Sequence, residues 1–227
     1  MNVLQVKTIL FIVTVLVIIP GLSLMSYAES VKSCHCFKER AYNPQEKFAA
    51  DDYILASSFN SLLSKSFDIP KRQIVMLKMQ GGVGQNDLLI GLKIAGIIGG
   101  DLNSLLKLRQ TKTWQAILSD SGLVKNVNDN ELIHSIQKGI SDQEAGHRIA
   151  DALIGELYHR EADHIAKIRT AGLNEKEINL LYILAHTAKK KPEDFLSLYK
   201  NKGKSWSEIA ADLGIEAAEV GKLIMNL

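Results

Sequence analysis

Cys34-His35-Cys36 places two thiols and an imidazole in three consecutive positions, and these are the only cysteines in the chain. Two thiolates and one imidazole are donors for zinc or Cu(I), although no fourth ligand is identifiable. The alternative chemistry is a disulfide. A bridge inside C-x-C is strained, because residues two apart rarely present good bridging geometry. Bonds between chains, giving a disulfide-linked homodimer, suit Cys34 and Cys36 better, and an oxidising compartment permits them. The third reading is an inert bridge, or thiols in a flexible arm. Covalent haem attachment is excluded, since it needs two residues between the cysteines and His directly after.

Four histidines stand three residues after a glutamate: Glu131/His134, Glu144/His147, Glu156/His159 and Glu161/His164. Glu-x-x-His is the pair that di-iron carboxylate bundles aim inward from one helical turn. Against that reading, His159 and His164 lie roughly 140° apart around a helix. Glycines also interrupt the chain too often for four long helices. Surface Glu–His pairs are the better expectation. No G-x-S-x-G, H-E-x-x-H or phosphate loop is present; Gly81-Gly82-Val83-Gly84 lacks the following Lys-Ser/Thr and reads as a turn. Asp51-Asp52 is uninformative without a cleft to hold it.

The start of the chain sets the compartment. Lys7 precedes an apolar run from Thr8 to Ile19, Pro20-Gly21 breaks it, and Ser26 and Ala28 flank Tyr27 in small-x-small spacing. That is the pattern of a cleavable signal peptide over residues 1–28, with Glu29 as mature N-terminus and a periplasmic or extracellular destination. The competing expectation is an uncleaved N-terminal membrane anchor, since Ile9 to Tyr27 has the length to span a bilayer. After cleavage no membrane span is expected. Losing Lys7 and no acid takes the formal charge from +2 to +1, which supplies no general attraction to nucleic acid or anionic membrane. Lys189-Lys190-Lys191 with Lys200, Lys202 and Lys204 is a local basic patch, expected as a solvated face.

These residues must be positioned by helices. Apolar content is carried by Leu, Ile and Ala, and no stretch alternates with period two. Asn43-Pro44 reads as a helix start, and Leu55, Phe59, Leu63 and Phe67 mark one apolar face. Asn128/Glu131, Ser141/Glu144, Asn174/Glu177 and Ser205/Glu208 have capping-box spacing. Gly81, Gly122, Gly139, Gly172 and Gly214 fall where helices would stop. Polar side chains after paired apolar residues recur at Lys78, Arg109, Gln137, Arg169 and Lys200, spaced 31, 28, 32 and 31. The expected fold is all-α: helix-turn-helix repeats of about 30 residues in an irregular helical array or α-solenoid. A coarser recurrence near 91 residues relates Trp114 to Trp206. The regions are a 29–42 arm carrying Cys34, His35 and Cys36, a first helical half over 43–127, and a second over 128–227.

Residues 203–223 resemble the helix-turn-helix unit of bacterial DNA-binding proteins, with Ile209-Ala210, Leu213-Gly214-Ile215, Val220 and Leu223 at its packing and turn positions. DNA reading needs polar or basic side chains at the start of the second helix. Here that start is Glu216-Ala217-Ala218-Glu219, so no nucleic-acid partner is expected. This segment, the Pro192 to Lys202 helix and the early CHCF also resemble uncharacterised exported proteins of environmental bacteria, a resemblance that implies an architecture and no activity. The expectation is an exported helical-repeat protein binding a partner protein or envelope component without catalysis. A metal-binding or thiol-redox protein using Cys34, His35 and Cys36, and an envelope hydrolase, are the alternatives.

Overall fold

The computed structural model describes Phe37 and residues 39–120, 122–123 and 130–227. Residues 1–28, expected to be a signal peptide, and Cys34, His35 and Cys36 lie outside these residues. Among the described residues there are twelve α-helices and no strand. In chain order they are α1 (Asp51–Phe67), α2 (Lys71–Met79), α3 (Gln85–Ile98), α4 (Leu102–Arg109), α5 (Trp114–Leu118) and α6 (Glu131–Gln137). Then follow α7 (Asp142–Tyr158), α8 (Ala162–Thr170), α9 (Glu175–Ala188), α10 (Pro192–Lys200), α11 (Trp206–Asp212) and α12 (Val220–Met225). The fold is all-α, as composition and periodicity predict.

Local chemistry sets many of the boundaries. Asn174 begins α9 with a complete reciprocal capping box to Glu177. Ser141 and Ser205 each accept the N–H three residues on, but their glutamates turn instead to Arg148 and Lys204. For α6 the cap is Asn130, two residues later than the expected Asn128, which lies outside the described residues. Asn43-Pro44 opens only a 3₁₀ turn, Pro44–Glu46, and α1 begins at Asp51 with no side-chain cap. Gly139, Gly172 and Gly214 end helices at positive φ, where glycine carries no Cβ penalty.

Helix α1 is central. Burial runs around it, from Ile54 through Ser57 to Ser64: Phe59 and Leu63 of the apolar stripe are fully buried, Leu55 and Phe67 at its ends are half-buried, and serines are enclosed alongside them. The serines have a steric reason. A Cβ at Gly221 of α12 would meet Ser61 Oγ at 2.7 Å and Ser57 Oγ at 3.2 Å. Small side chains on both helices therefore permit a close approach, and α12 docks along α1. Phe37 meets the Tyr53 ring edge-on and Arg40 lies over it, so the chain already lies against α1 there. Because the last helix packs on the first, the array closes on itself. In a solenoid each unit touches only its neighbours.

The helices fall into corresponding pairs. Both α1 and α7 have 17 residues and start 91 apart; both α3 and α9 have 14 and start 90 apart. Packing across the halves is reciprocal: α9 lies on α1, and α3 lies on α7. The corner chemistry matches too. Trp114 Nε1 donates to Asp87 Oδ1 at 2.8 Å, and Trp206 Nε1 to Glu177 Oε1 at 3.4 Å. Arg109 and Tyr199 donate to those same carboxylate oxygens. Lys78 on Asn60 corresponds to Arg169 on Asp151.

Candidate functional site

Two helix ends build the site. Helix α7 stops at Tyr158, and His159 takes a left-handed φ of 51°. The turn is closed by Arg160 N–H on Gly155 O at 2.9 Å. Gly155 is required here, since a Cβ would lie 2.9 Å from the Arg160 carbonyl oxygen. Helix α9 stops the same way: Lys189 has a φ of 54°, and Lys190 N–H bonds Ala185 O at 3.0 Å. Each corner throws exposed cations outward, Arg160 from the first and Lys189, Lys190 and Lys191 from the second.

These corners enclose a groove. One cavity of about 560 Å³ is lined by Arg160, His164, Lys190, Lys191, Pro192 and Glu193. A second, of about 340 Å³, shares Arg160 and Lys190 and adds Tyr158, Tyr182, Ala185, His186 and Lys189. None of Arg160, Lys189, Lys190 or Lys191 has an ion-pair partner among the described residues. Low-dielectric walls and unpaired charge of one sign concentrate counter-ions.

At the seam His164 bridges two partners. Its Nδ1 lies 2.6 Å from Tyr182 Oη and its Nε2 lies 2.9 Å from Glu193 Oε1. Burial pushes the Tyr182 phenol up to about 12, with Arg160 pulling it back slightly. A neutral phenol therefore donates to Nδ1, and Nε2–H donates to Glu193; the network assigns this tautomer. The His164 bond, then the Glu193 backbone N–H, hold the Glu193 carboxyl below its usual range. Tyr182 stacks on Tyr158 with ring centroids 5.6 Å apart. The Tyr158 hydroxyl donates to Asn179, whose buried amide nitrogen has no hydrogen-bond partner among the described residues.

At Glu144/His147 and Glu161/His164 the Glu-x-x-His spacing is not used within its own turn. Glu144 bonds Arg148, while His147 Nε2 lies 3.7 Å from Glu175. His164 takes Glu193 rather than Glu161, and His159 serves as the left-handed cap of α7. Among the described residues no group of three or more His, Cys, Asp or Glu is placed to hold a metal ion. No helix among them is long and apolar enough to cross a membrane. In the helix-turn-helix segment Ala210 and Val220 are buried, and Glu216 and Glu219 are exposed. The face of its second helix that carries Val220, Gly221 and Ile224 is spent on the core.

No family model, curated protein or solved structure matches this chain. Its own residues carry the functional argument.

Sequence reading singled out the Lys189-Lys190-Lys191 run but not Arg160, Tyr182 or Glu193. These stand on three different helices or corners, and no local spacing links them. The available signal was the tri-lysine run directly before Pro192, where one helix ends and the next starts without room for a solvated tail.

Proposed function

We propose that this is an exported binding protein, not an enzyme, and that its ligand is anionic and sits in the groove between the Arg160 and Lys189–Lys191 corners. The observation that carries the reading is the convergence of four unpaired cations on two adjoining cavities, three of them lining each and Arg160 and Lys190 shared. A chain with mature charge near zero has no reason in bulk solubility to gather them. The relay supports binding over catalysis. Both His164 nitrogens are engaged, and the Tyr182 phenol, at about 12, supplies no nucleophile near neutral pH.

The paired helices support the same site. We read them as an internal duplication, in which corresponding positions separate packing from ligand chemistry. Ile74 and Ile165, and Trp114 and Trp206, are buried alike. The groove residues have no such likeness: Arg160 corresponds to Ile69, and Lys189, Lys190 and Lys191 to Gly99, Gly100 and Asp101. The fold needs none of those cations, since the first half forms the same corners without them.

Titration calorimetry of the mature protein with inorganic pyrophosphate, at low salt and neutral pH, tests the reading. Saturable binding is expected, lost in the Lys190→Glu, Lys191→Glu double variant with its helix content unchanged. Absence of binding in the wild type, or affinity indifferent to the charge reversal, would remove the groove as a site. Mass spectrometry finding Glu29 as the N-terminus checks export.

A further inference from the structure

We propose that the groove takes a phosphoryl oxyanion that still carries a proton, and that Glu193 selects this ligand over sulfate. The inference rests on the anion-binding reading above and adds the chemistry of the ligand.

A groove shaped only for negative charge gains nothing from a carboxylate, yet Glu193 lines the cavity beside Arg160, Lys190 and Lys191. Its side chain is 48% exposed. A carboxylate offers about four lone-pair sites. His164 Nε2–H occupies one, which leaves acceptor capacity on a carboxylate that lines the cavity. His164 stabilises the ionised form, so Glu193 is acceptor-only at neutral pH. Next to an oxyanion, such a group is favourable only when the oxyanion brings its own O–H. Monohydrogen phosphate has one; sulfate near neutral pH has none, and would set lone pair against lone pair.

At the start of α10, Pro192 has no N–H and the Asp194 N–H goes to Lys191 O at 3.1 Å. The Arg160, Lys190 and Lys191 side chains that line the cavity beside Glu193 bind any oxyanion. Discrimination is therefore assigned to Glu193, the one acceptor-only side chain in that lining. A phosphate monoester loses its last proton at about pH 6, so at pH 7.5 free phosphate satisfies Glu193 and the ester dianion does not.

The test is titration of the wild type and Glu193→Gln at pH 7.5 and low salt with inorganic phosphate, sulfate and glycerol 3-phosphate. Thermal melts of both proteins confirm folding. Wild type is expected to bind phosphate at least about tenfold more tightly than sulfate, the size of one charge-assisted hydrogen bond. In Glu193→Gln, whose amide both donates and accepts, sulfate binding strengthens and the preference shrinks to within about threefold. Equal wild-type affinities for phosphate and sulfate would overturn the inference, as would a preference unchanged by Glu193→Gln. Glycerol 3-phosphate binding more tightly than phosphate would overturn it too, and would point to an ester such as a lipid headgroup. If neither phosphate nor sulfate binds, the anion-binding reading itself fails; equal binding removes only the role of Glu193.

Discussion

The Asp51 carboxylate accepts the backbone N–H groups of both Trp206 and Ser207, at 3.1 and 2.9 Å, across a separation of 155 residues or more. It also accepts the Ser207 hydroxyl at 2.7 Å. The first helix thereby serves as a remote cap for α11, whose own cap, Ser205, reaches only Glu208 N–H. Across the halves, Asp142 stands where Asp51 does, and takes Arg109 beside the Trp114 corner.

This tie predicts the behaviour of Asp51→Ala. Removing the carboxylate strands two helix-start N–H groups in partly buried surroundings. Burial, however, already pushes the Asp51 carboxyl up, against the pull of Ser207 and Trp206, so the net loss is moderated. A destabilisation of about 1–2 kcal/mol is expected, in the range of a lost helix cap. Urea unfolding measures it. A midpoint unchanged from wild type would mean that water replaces Asp51 without cost, and that the two halves are not locked here.

How much of this was written in the chain depends on distance along it. Caps at Ser141, Asn174 and Ser205 are read correctly because a cap is satisfied within three residues. Glycine stops at Gly139, Gly172 and Gly214 are legible for the same reason. The stops at Asp68, His159 and Lys189 are not, because non-glycine residues hold the left-handed position there. Helix α1 misleads in another way. Beside the buried apolar residues Phe59 and Leu63 it also encloses Ser57, Ser61 and Ser64, polar by composition, and Gly221 from the far end of the chain packs against Ser57 and Ser61. The relay through His164, Tyr182 and Glu193 is closed by packing between α8, α9 and α10, which no spacing rule encodes.

The amine of Lys78 makes stability depend on alkaline pH. Its Nζ donates to Asn60 Oδ1 at 2.6 Å, and burial lowers it to about 8, with Lys176 adding repulsion. In the unfolded chain a lysine titrates near 10.5. Between those values the unfolded state binds more protons, so stability rises with pH through the window from 8 to 10.5. Below pH 8 both states are protonated, and the whole penalty is present. Tyr182 and Tyr199, both raised to about 12, act oppositely above pH 10. Unfolding free energies at pH 7.5, 8.5 and 9.5 should therefore climb, by on the order of 1–3 kcal/mol. Lys78→Met should flatten the climb. A wild-type profile that is flat or falling over that range would show the amine to be solvated.

Cys34 and Cys36 admit a decision by one pair of measurements. If they link chains, non-reducing electrophoresis of protein recovered from an oxidising compartment will show a dimer, lost on Cys34→Ser, Cys36→Ser substitution. If they join His35 in holding metal, elemental analysis will find near-stoichiometric zinc or copper that the double variant lacks. A double variant equal to wild type in both measurements removes Cys34-His35-Cys36 as a site.

Lys189 separates stability from binding. Its φ of 54° puts a Cβ in the region where L-residues are strained, at a cost of about 1 kcal/mol or more. Gly99, at the corresponding end of α3, holds a φ of 65° without that cost. A chain selected for stability alone would keep glycine at both positions. Lysine at 189 instead supplies a cation to the groove, lining the cavity beside Tyr182 and His186. Lys189→Gly should therefore raise the unfolding free energy by roughly 0.5–1 kcal/mol, less the extra chain entropy that glycine brings. The same substitution should weaken anion binding by about threefold or more, one charge being lost at the groove wall. Thermal melts and calorimetric titration of one preparation read both. A variant that gains stability and keeps full affinity would show that Lys189 does not face the ligand. One that loses stability would show that its side chain makes contacts beyond the groove.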